Sequence, residues 1–439
     1  MKQTVEQHMS QKKQSICIKT ALAVAALAGW CLFQFWRMWS AFPPDLSALY
    51  MAGYLHAEGM YDLIYARPSG FFGGTPREWW GILPRLGLSG ENVLPYVYPP
   101  LWAGLLSPIA GALSPEAFFR GALLIQIPMI AASVVLAWRI LRPTSLPLWA
   151  WIMISVGLLS TSMLSKFAVV QLQPQITVIF LILLSFERYG AGKAQMAGAI
   201  LAIAAALKLA PVVLAVIFVM DRNWTAFRMC ALVGVCLAAV SVTLMGPQLH
   251  FAFLDSVRSL SDGVFITSVN YSVNAMLHGI GIEMGFFQTW VDLNTRNIRL
   301  NSSEVLVDRL CLALLAFSLI AVLWRTRAMS ERTRLTVRIF AIAGLFSLFG
   351  PLGWAHYFVL QMLLVPAMIP ILGARSGGLI LLVFGLMTSV PAFNMLRSAY
   401  SSDLPVMAAS TIMMLLTIWA ITSRPHARPR RMPKPTPAQ

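Results

Sequence analysis

The sequence predicts an all-α integral membrane protein, a polytopic bundle of about twelve transmembrane helices with two long loops on one face. Three observations predict it. Of 439 residues, 58% are hydrophobic and only 11% are charged, and the mean hydropathy is +0.71. Apolar stretches of roughly 20 residues recur along nearly the whole length, leaving no room for a sizeable soluble domain. The formal charge of +16 is gathered in short clusters between those stretches and at the two ends. That is a topology signal, so no nucleic-acid partner is expected.

The first apolar stretch, Ile16 to Trp36, is too long for a signal-peptide core and lacks a small-residue cleavage site, so it reads as a retained anchor. Spans follow near 99–113, 117–138, 147–165, 168–187, 194–219, 224–246, 305–324, 335–351, 354–372, 376–393 and 404–422. The span at 99–113 is short, and a re-entrant segment in its place needs a compensating change before the basic loop at Arg325. Lys2, Lys12, Lys13 and Lys19 precede the first helix, Arg325, Arg327, Arg332 and Arg334 fill one short loop, and Arg424, Arg428, Arg430, Arg431 and Lys434 close the chain. By the positive-inside bias all three clusters, and so both termini, face the cytoplasm. Residues 1–422 then form a single transmembrane domain, followed by a basic, disordered tail over 423–439. The two long loops, 38–98 and 247–304, lie outside and are expected to contain interfacial helices, with Trp79 and Trp80 at the lipid headgroup level. All five cysteines fall in apolar stretches, which argues against a disulfide framework, and no histidine or cysteine spacing indicates a metal site. No internal repeat of the kind that marks many secondary transporters is present.

One acidic residue stands out. In "PPDLSALYMAGYLHAEGMYDLIY" Asp45 follows two prolines at the start of a helical stretch. Two readings are open there. Its carboxylate can accept backbone N–H bonds as a helix cap. A carboxylate fixed at a helix start is also preorganised as a general base: a transferase moving a sugar to a hydroxyl must remove the acceptor's proton as the new bond forms. If the leaving group is already a phosphate, one carboxylate suffices, unlike the pair used in glycoside hydrolysis. Lys208 lies inside an apolar span, where an ammonium costs at least about 2.5 kcal/mol and calls for a partner or an aqueous cavity, unless it snorkels to the cytoplasmic surface. Pro211 frees the carbonyl of Leu207 beside it. His356, between Trp354 and Tyr357, is either a membrane-interface residue or a hydrogen-bond partner for a donor phosphate.

These residues fall in blocks that resemble a known family. Asp45, Tyr50, Ala52, Gly59 and Tyr61 look like the first-loop signature of the GT-C glycosyltransferases of family 87, formerly DUF2029, which use polyprenyl-phosphate sugars and include bacterial alpha-mannosyltransferases. "YVYPPLWAGLLSPIAGAL" at 96–113 is similar to the family's YPPL block, "AGAILAIAAALKLAPVVLAV" at 197–216 to its Lys-Pro helix, and "PLGWAHYFVLQMLLVP" at 351–366 to its late W-x-H block. Four blocks in order span most of the chain, from Asp45 to Pro366. Where the family has Gly-Gln-x-Asn this chain has Val170, Gln171, Leu172 and Gln173, and "SVNYSVNAML" keeps Asn270, Ser272 and Asn274 of a looser polar pattern.

The resemblance implies a GT-C fold in the plasma (inner) membrane and a hexosyltransferase moving mannose or another hexose from a polyprenyl-phosphate sugar to a glycolipid or glycan acceptor outside the cytoplasm, with inversion. It implies Asp45 as the base, and His356, Lys208, Tyr50, Gln171, Gln173 and Asn270 as substrate-binding residues. No cofactor and no metal are implied; the partners are the lipid-linked donor, the acceptor and membrane lipid. No P-loop or Rossmann glycine pattern offers a nucleotide site. A carrier or flippase for lipid-linked sugars and a non-catalytic envelope-polysaccharide assembly factor stay open as alternatives.

Overall fold

A computed structural model describes residues 2–68, 73–293 and 296–423. The basic tail expected over 423–439 therefore lies, beyond Ser423, outside the described residues. Helices dominate. α1 (Lys2–Met38) leads into α2 (Pro44–Ala57), a loop with three short 3-10 turns, α3 (Pro100–Ala112), α4 (Pro115–Leu141), α5 (Leu148–Thr161), α6 (Met163–Val170) and α7 (Gln175–Gly190). Then come α8 (Ala194–Leu207), a 3-10 segment at Ala210–Ala215, α9 (Val216–Met220) and α10 (Trp224–Asp262). The second loop holds β1 (Val264–Ile266), α11 (Val273–Glu283) and β2 (Ile298–Leu300). The chain closes with α12 (Val305–Thr326), α13 (Glu331–Phe349), α14 (Val359–Leu364), α15 (Met368–Leu372), α16 (Ala374–Met387), α17 (Val390–Ala399) and α18 (Leu404–Thr422). β1 and β2 pair antiparallel, Val264 opposite Leu300 and Ile266 opposite Ile298, a small ribbon the helical reading did not anticipate.

Among the described residues six helical segments are long and apolar enough to cross a membrane: Gln14–Met38, α4, α10, α12, Ala355–Leu372 and α18, with a seventh if α6 and α7, bent by 116°, count together. The chain is thus a multi-pass membrane protein. Two of the expected crossings do not cross. Arg120 near the start of α4 donates to the carbonyl of Trp39, just past α1, at 3.3 Å, so the chain between them leaves and rejoins one end of the bundle. α3, 13 residues long, spans only about 20 Å against a hydrocarbon core of about 30 Å. The expected span at 194–219 is likewise a hairpin. Its far end, Asp221, accepts hydrogen bonds from Tyr189 at the end of α7 (3.2 Å) and from Arg338 of α13 (2.8 Å), so the segment returns to the end from which α8 departed. Lys208 and Leu209 form the hairpin's tip. The two corrections offset one another in parity, and the ends of α12 and α18 still meet where Arg325 donates to Ser423 at 3.0 Å.

α2 also departs from the expected surface helix. Residues Leu46–Gly53 and Leu55 are buried, because small residues let α3 approach closely: a Cβ on Gly53 would stand 3.0 Å from that of Ala110. Trp79 is fully buried, donating its indole N–H to Leu63 at 2.9 Å, while Trp80 stays exposed. In α10 a break at Gly246, in the left-handed region at φ 74°, precedes Pro247 and redirects the helix. Its C-terminal half then carries Phe253 and Val257 over the site described next.

Candidate active site

Four separate pieces of backbone converge on one cavity of about 500 Å³: the start of α2, the turn between α6 and α7, the tip of the α8 hairpin, and the loop 352–357. Pro43 and Pro44 fix the entry to α2 and present Asp45 in its first turn. The carboxylate does not cap its own helix. It accepts a hydrogen bond from the Gln173 amide, and the N–H of Leu46 donates to the carbonyl of Gln171 at 3.3 Å. The 171–173 turn therefore docks onto Asp45 by main chain and side chain together. Leu172 between the two glutamines adopts φ 43°, a conformation that costs an L-residue about 1 kcal/mol, and Pro174 then starts α7.

The amide has a second partner. Tyr98, two residues from the end of the first long loop, donates its hydroxyl to Gln173 Oε1 at 3.2 Å, which leaves the NH₂ side of the amide facing Asp45. Burial and the neighbouring Asp45 charge push the Tyr98 phenol well above its usual range, so it stays a donor. Asp45 itself is half-buried. Loss of water contact pushes its carboxyl up to about 6, against the hydrogen bond from Gln173 and the positive field of Lys208, which both pull it down.

Lys208 breaks its helix: the backbone there is extended (φ −155°, ψ 126°), and Trp102 donates to the carbonyl of Ala206 at 2.8 Å. The ammonium turns into the cavity instead of toward the basic end of the bundle and sits 4.0 Å from the centre of the Tyr357 ring. His356 is buried, stacked on Phe167 at 5.6 Å and edge-on to Tyr357 at 4.7 Å. Neither of its ring nitrogens has a hydrogen-bond partner among the described residues. Buried imidazole nitrogens left so are uncommon and point to a group that arrives from outside the chain.

Asp45, Gln171, Gln173, Lys208 and His356 thus line one space. Tyr50 and Asn270 do not line it. The Tyr50 hydroxyl donates to the carbonyl of Leu113 at 3.0 Å, joining α2 to the end of α3, because its position in α2 turns it toward α4. Asn270 is wholly buried: its amide donates to Phe265 (2.8 Å) and accepts from the N–H groups of Ser272 (3.1 Å) and Gly353 (2.8 Å). It is a peg. With the bonds from Ala355 to Val269 and from Tyr271 to Gly353, it holds the Trp354–His356 loop against the second long loop. At Gly353 a Cβ would stand 2.7 Å from backbone atoms of Ser272 and Ser347, so only glycine fits. Residue-by-residue reading of the sequence missed Tyr98, Phe167 and Tyr357, although Tyr98 and Tyr357 stand inside the quoted blocks. Among the described residues no group of three His, Cys, Asp or Glu side chains is gathered for a metal ion.

The sequence model of glycosyltransferase family 87 matches residues 96–351, more than half of the chain. The chain belongs to glycosyltransferase family 87. Gln171, Gln173, Lys208 and Asn270 fall within the matched stretch, whereas Asp45 precedes it and His356 stands just beyond it. No curated protein matches the chain. A family 87 glycosyltransferase in a membrane needs a sugar donor and an acceptor, and the cavity has to be read with both in mind.

Proposed function

We propose that this membrane glycosyltransferase moves a hexose, mannose first among the candidates, from a polyprenyl-phosphate sugar to a hydroxyl of a glycolipid or glycan on the extracytoplasmic face of the plasma membrane. The observation that carries the reading is the convergence of one carboxylate with one ammonium and one unpartnered imidazole in a single cavity with largely apolar walls. A phosphate on a hydrophobic tail suits that environment, because apolar walls accept the isoprenoid while Lys208 and His356 meet the head group. The opposite end of the bundle supports the orientation. There Arg139 reaches the buried Glu187 at 2.7 Å, alongside Arg142, Arg188, Arg332, Arg334 and Arg338, the basic excess expected of a cytoplasmic surface.

In the proposed step Asp45 accepts the proton of the acceptor hydroxyl as its oxygen attacks the anomeric carbon. The bond from that carbon to the phosphate oxygen breaks, its electron pair stays on the phosphate, and polyprenyl phosphate leaves with inversion at the sugar. Lys208 and His356 stabilise the charge that grows on the leaving phosphate. Gln171 and Gln173 shape the wall between donor and base.

The test is transfer of radiolabelled mannose from polyprenyl-phosphate mannose to membrane glycolipid and glycan in proteoliposomes, comparing wild type with Asp45→Asn. Label moved only by wild type supports both the reaction and the base. Transfer by the variant at near wild-type rate sinks the assignment of Asp45, and label that crosses the bilayer still attached to its lipid points to the carrier. Absence of transfer by both moves the same assay to other polyprenyl-linked sugars.

A further inference from the structure

The chemistry above uses only the inner part of the cavity. All of its charged lining groups, Asp45, Lys208 and His356 when protonated, lie there, half-buried or buried. The mouth is different in kind. It is lined by the amides of Asn92 and Asn297, the hydroxyl of Ser261 and the indole of Trp354, and among the described residues no charged side chain lines it; the nearest charges, Arg258 and Arg296, are paired with Asp262 and Asp403. Asn92, Ser261 and Asn297 are exposed, and Trp354 is half-buried.

This mouth is built. Asn92 comes from the first long loop, Ser261 from the C-terminal half of α10, and Asn297 from the second long loop, so three distant segments meet there. Asn92 is fixed by donating to the carbonyl of Gly73 at 2.8 Å. Asn297 stands in the left-handed region at φ 59°, and its Oδ1 accepts from Thr267 at 2.8 Å, which leaves the two N–H donors of the amide for something else. Trp354 is held by the Asn270 peg and by its packing on Phe265 at 6.2 Å.

We infer that this mouth binds an uncharged sugar ring of the acceptor, stacked on Trp354 and hydrogen-bonded by Asn297 and Asn92. The inference rests on the glycosyltransferase reading of the cavity. A sugar ring has a C–H face that suits an indole and a rim of hydroxyls that suits amides, which donate and accept side by side. An acidic sugar or a phosphorylated acceptor meets no cation among the described lining residues, and the nearest arginines already face carboxylates, so the loss of water around its charge is not offset. A sugar seated there has its reactive hydroxyl directed inward to Asp45, with the donor beyond it.

The test needs neither donor nor turnover. Saturation-transfer NMR is recorded on the full chain in lipid nanodiscs with methyl α-mannoside and maltotriose as neutral probes, glucuronic acid and glucose 6-phosphate as charged ones, and a Gly-Ser-Thr peptide. Wild type, Asp45→Asn, Asn297→Ala, Asn297→Gly and Trp354→Leu are compared, the glycine variant removing the amide while keeping the left-handed backbone at ease. Neutral sugars should bind wild type and still bind Asp45→Asn, whose amide keeps an oxygen that can accept from the sugar hydroxyl, with binding weakened about fivefold or more in Trp354→Leu and in both Asn297 variants. Equal binding of the charged sugars or the peptide, no binding of the neutral ones, or neutral binding untouched in the mouth variants overturns the inference. Sugar binding that survives while label transfer fails overturns the proposed reaction and leaves the sugar site standing.

Discussion

Gln173 offers a quantitative handle on Asp45. Gln173→Leu keeps most of the volume and removes the amide that donates to the carboxylate. A hydrogen bond to a charged group is worth about 1.5–3 kcal/mol net, and one pK unit is about 1.4 kcal/mol, so its loss raises the Asp45 carboxyl by roughly 1 to 2 units. From about 6 in wild type the midpoint then moves to roughly 7–8. The base works only when ionised, so its fraction at neutral pH falls from roughly nine-tenths to between about a half and a tenth. Initial transfer rates in proteoliposomes should therefore drop about twofold to tenfold at pH 7 and recover toward wild type near about pH 9. The assay is the full pH profile at saturating donor. A uniform loss at every pH, with the acidic limb unmoved, would refute this reasoning and make Gln173 a contact to the donor. Tyr98→Phe frees the amide to turn without removing it, and its acidic limb should fall between the two.

Further outcomes follow from the same geometry. Because the Asp45 carboxyl lies near 6 in the folded protein and at 3.8 in its ordinary state, its ionisation opposes folding above pH 6 and not below the ordinary value. Asp45→Asn should thus be more stable than wild type by about 2–3 kcal/mol at alkaline pH, a gain that shrinks to nothing as the pH falls toward 4; thermal melts across pH measure it. Asn270→Ala strands two buried N–H groups and a carbonyl and should cost about 2–4 kcal/mol by the same melts, with transfer lost as the His356 loop loosens. A Cβ on Gly198 would stand 2.1 Å from the carbonyl of Ala226, so Gly198→Val should destabilise by about 1–3 kcal/mol, whereas Gly234→Val, in open space on α10, should melt like wild type.

Much of the cavity lining was legible because Asp45, Lys208 and His356 stand in short local blocks. Two prolines followed by an acid mark a rigid helix start wherever they occur, and a lysine in an apolar run demands a cavity or a partner. The sequence offers the two glutamines as substrate-binding residues, yet Gln173 lies against Asp45, a contact between residues 128 apart in sequence that no local pattern encodes. Asn270 shows the converse. A polar residue near site motifs reads as a ligand, and only burial distinguishes a peg from a contact. Hydropathy found the apolar segments but not their direction, so α3 and the α8 hairpin passed for crossings. What betrays them is the pairing of their ends with Trp39 and Tyr189, which tertiary structure alone supplies.

The hairpin that ends in Lys208 behaves as a gauge rod. Its ascending arm of 14 residues is about 21 Å long, and the 3-10 and α9 return is of similar length. Both feet are clamped at the far end, one by the close seat of Gly198 on α10 and the other by Asp221 between Arg334 and Arg338. The depth and heading of the ammonium are therefore set at the end of the bundle away from the cavity. Adding a single residue to one arm would lift the tip by about 1.5 Å and swing it by about 100°, taking Lys208 off the cavity wall. Changes at Asp221 or Arg338 should for the same reason be felt as altered chemistry on the opposite face of the membrane, and family members that keep the tip should also keep the length of the arms beneath it.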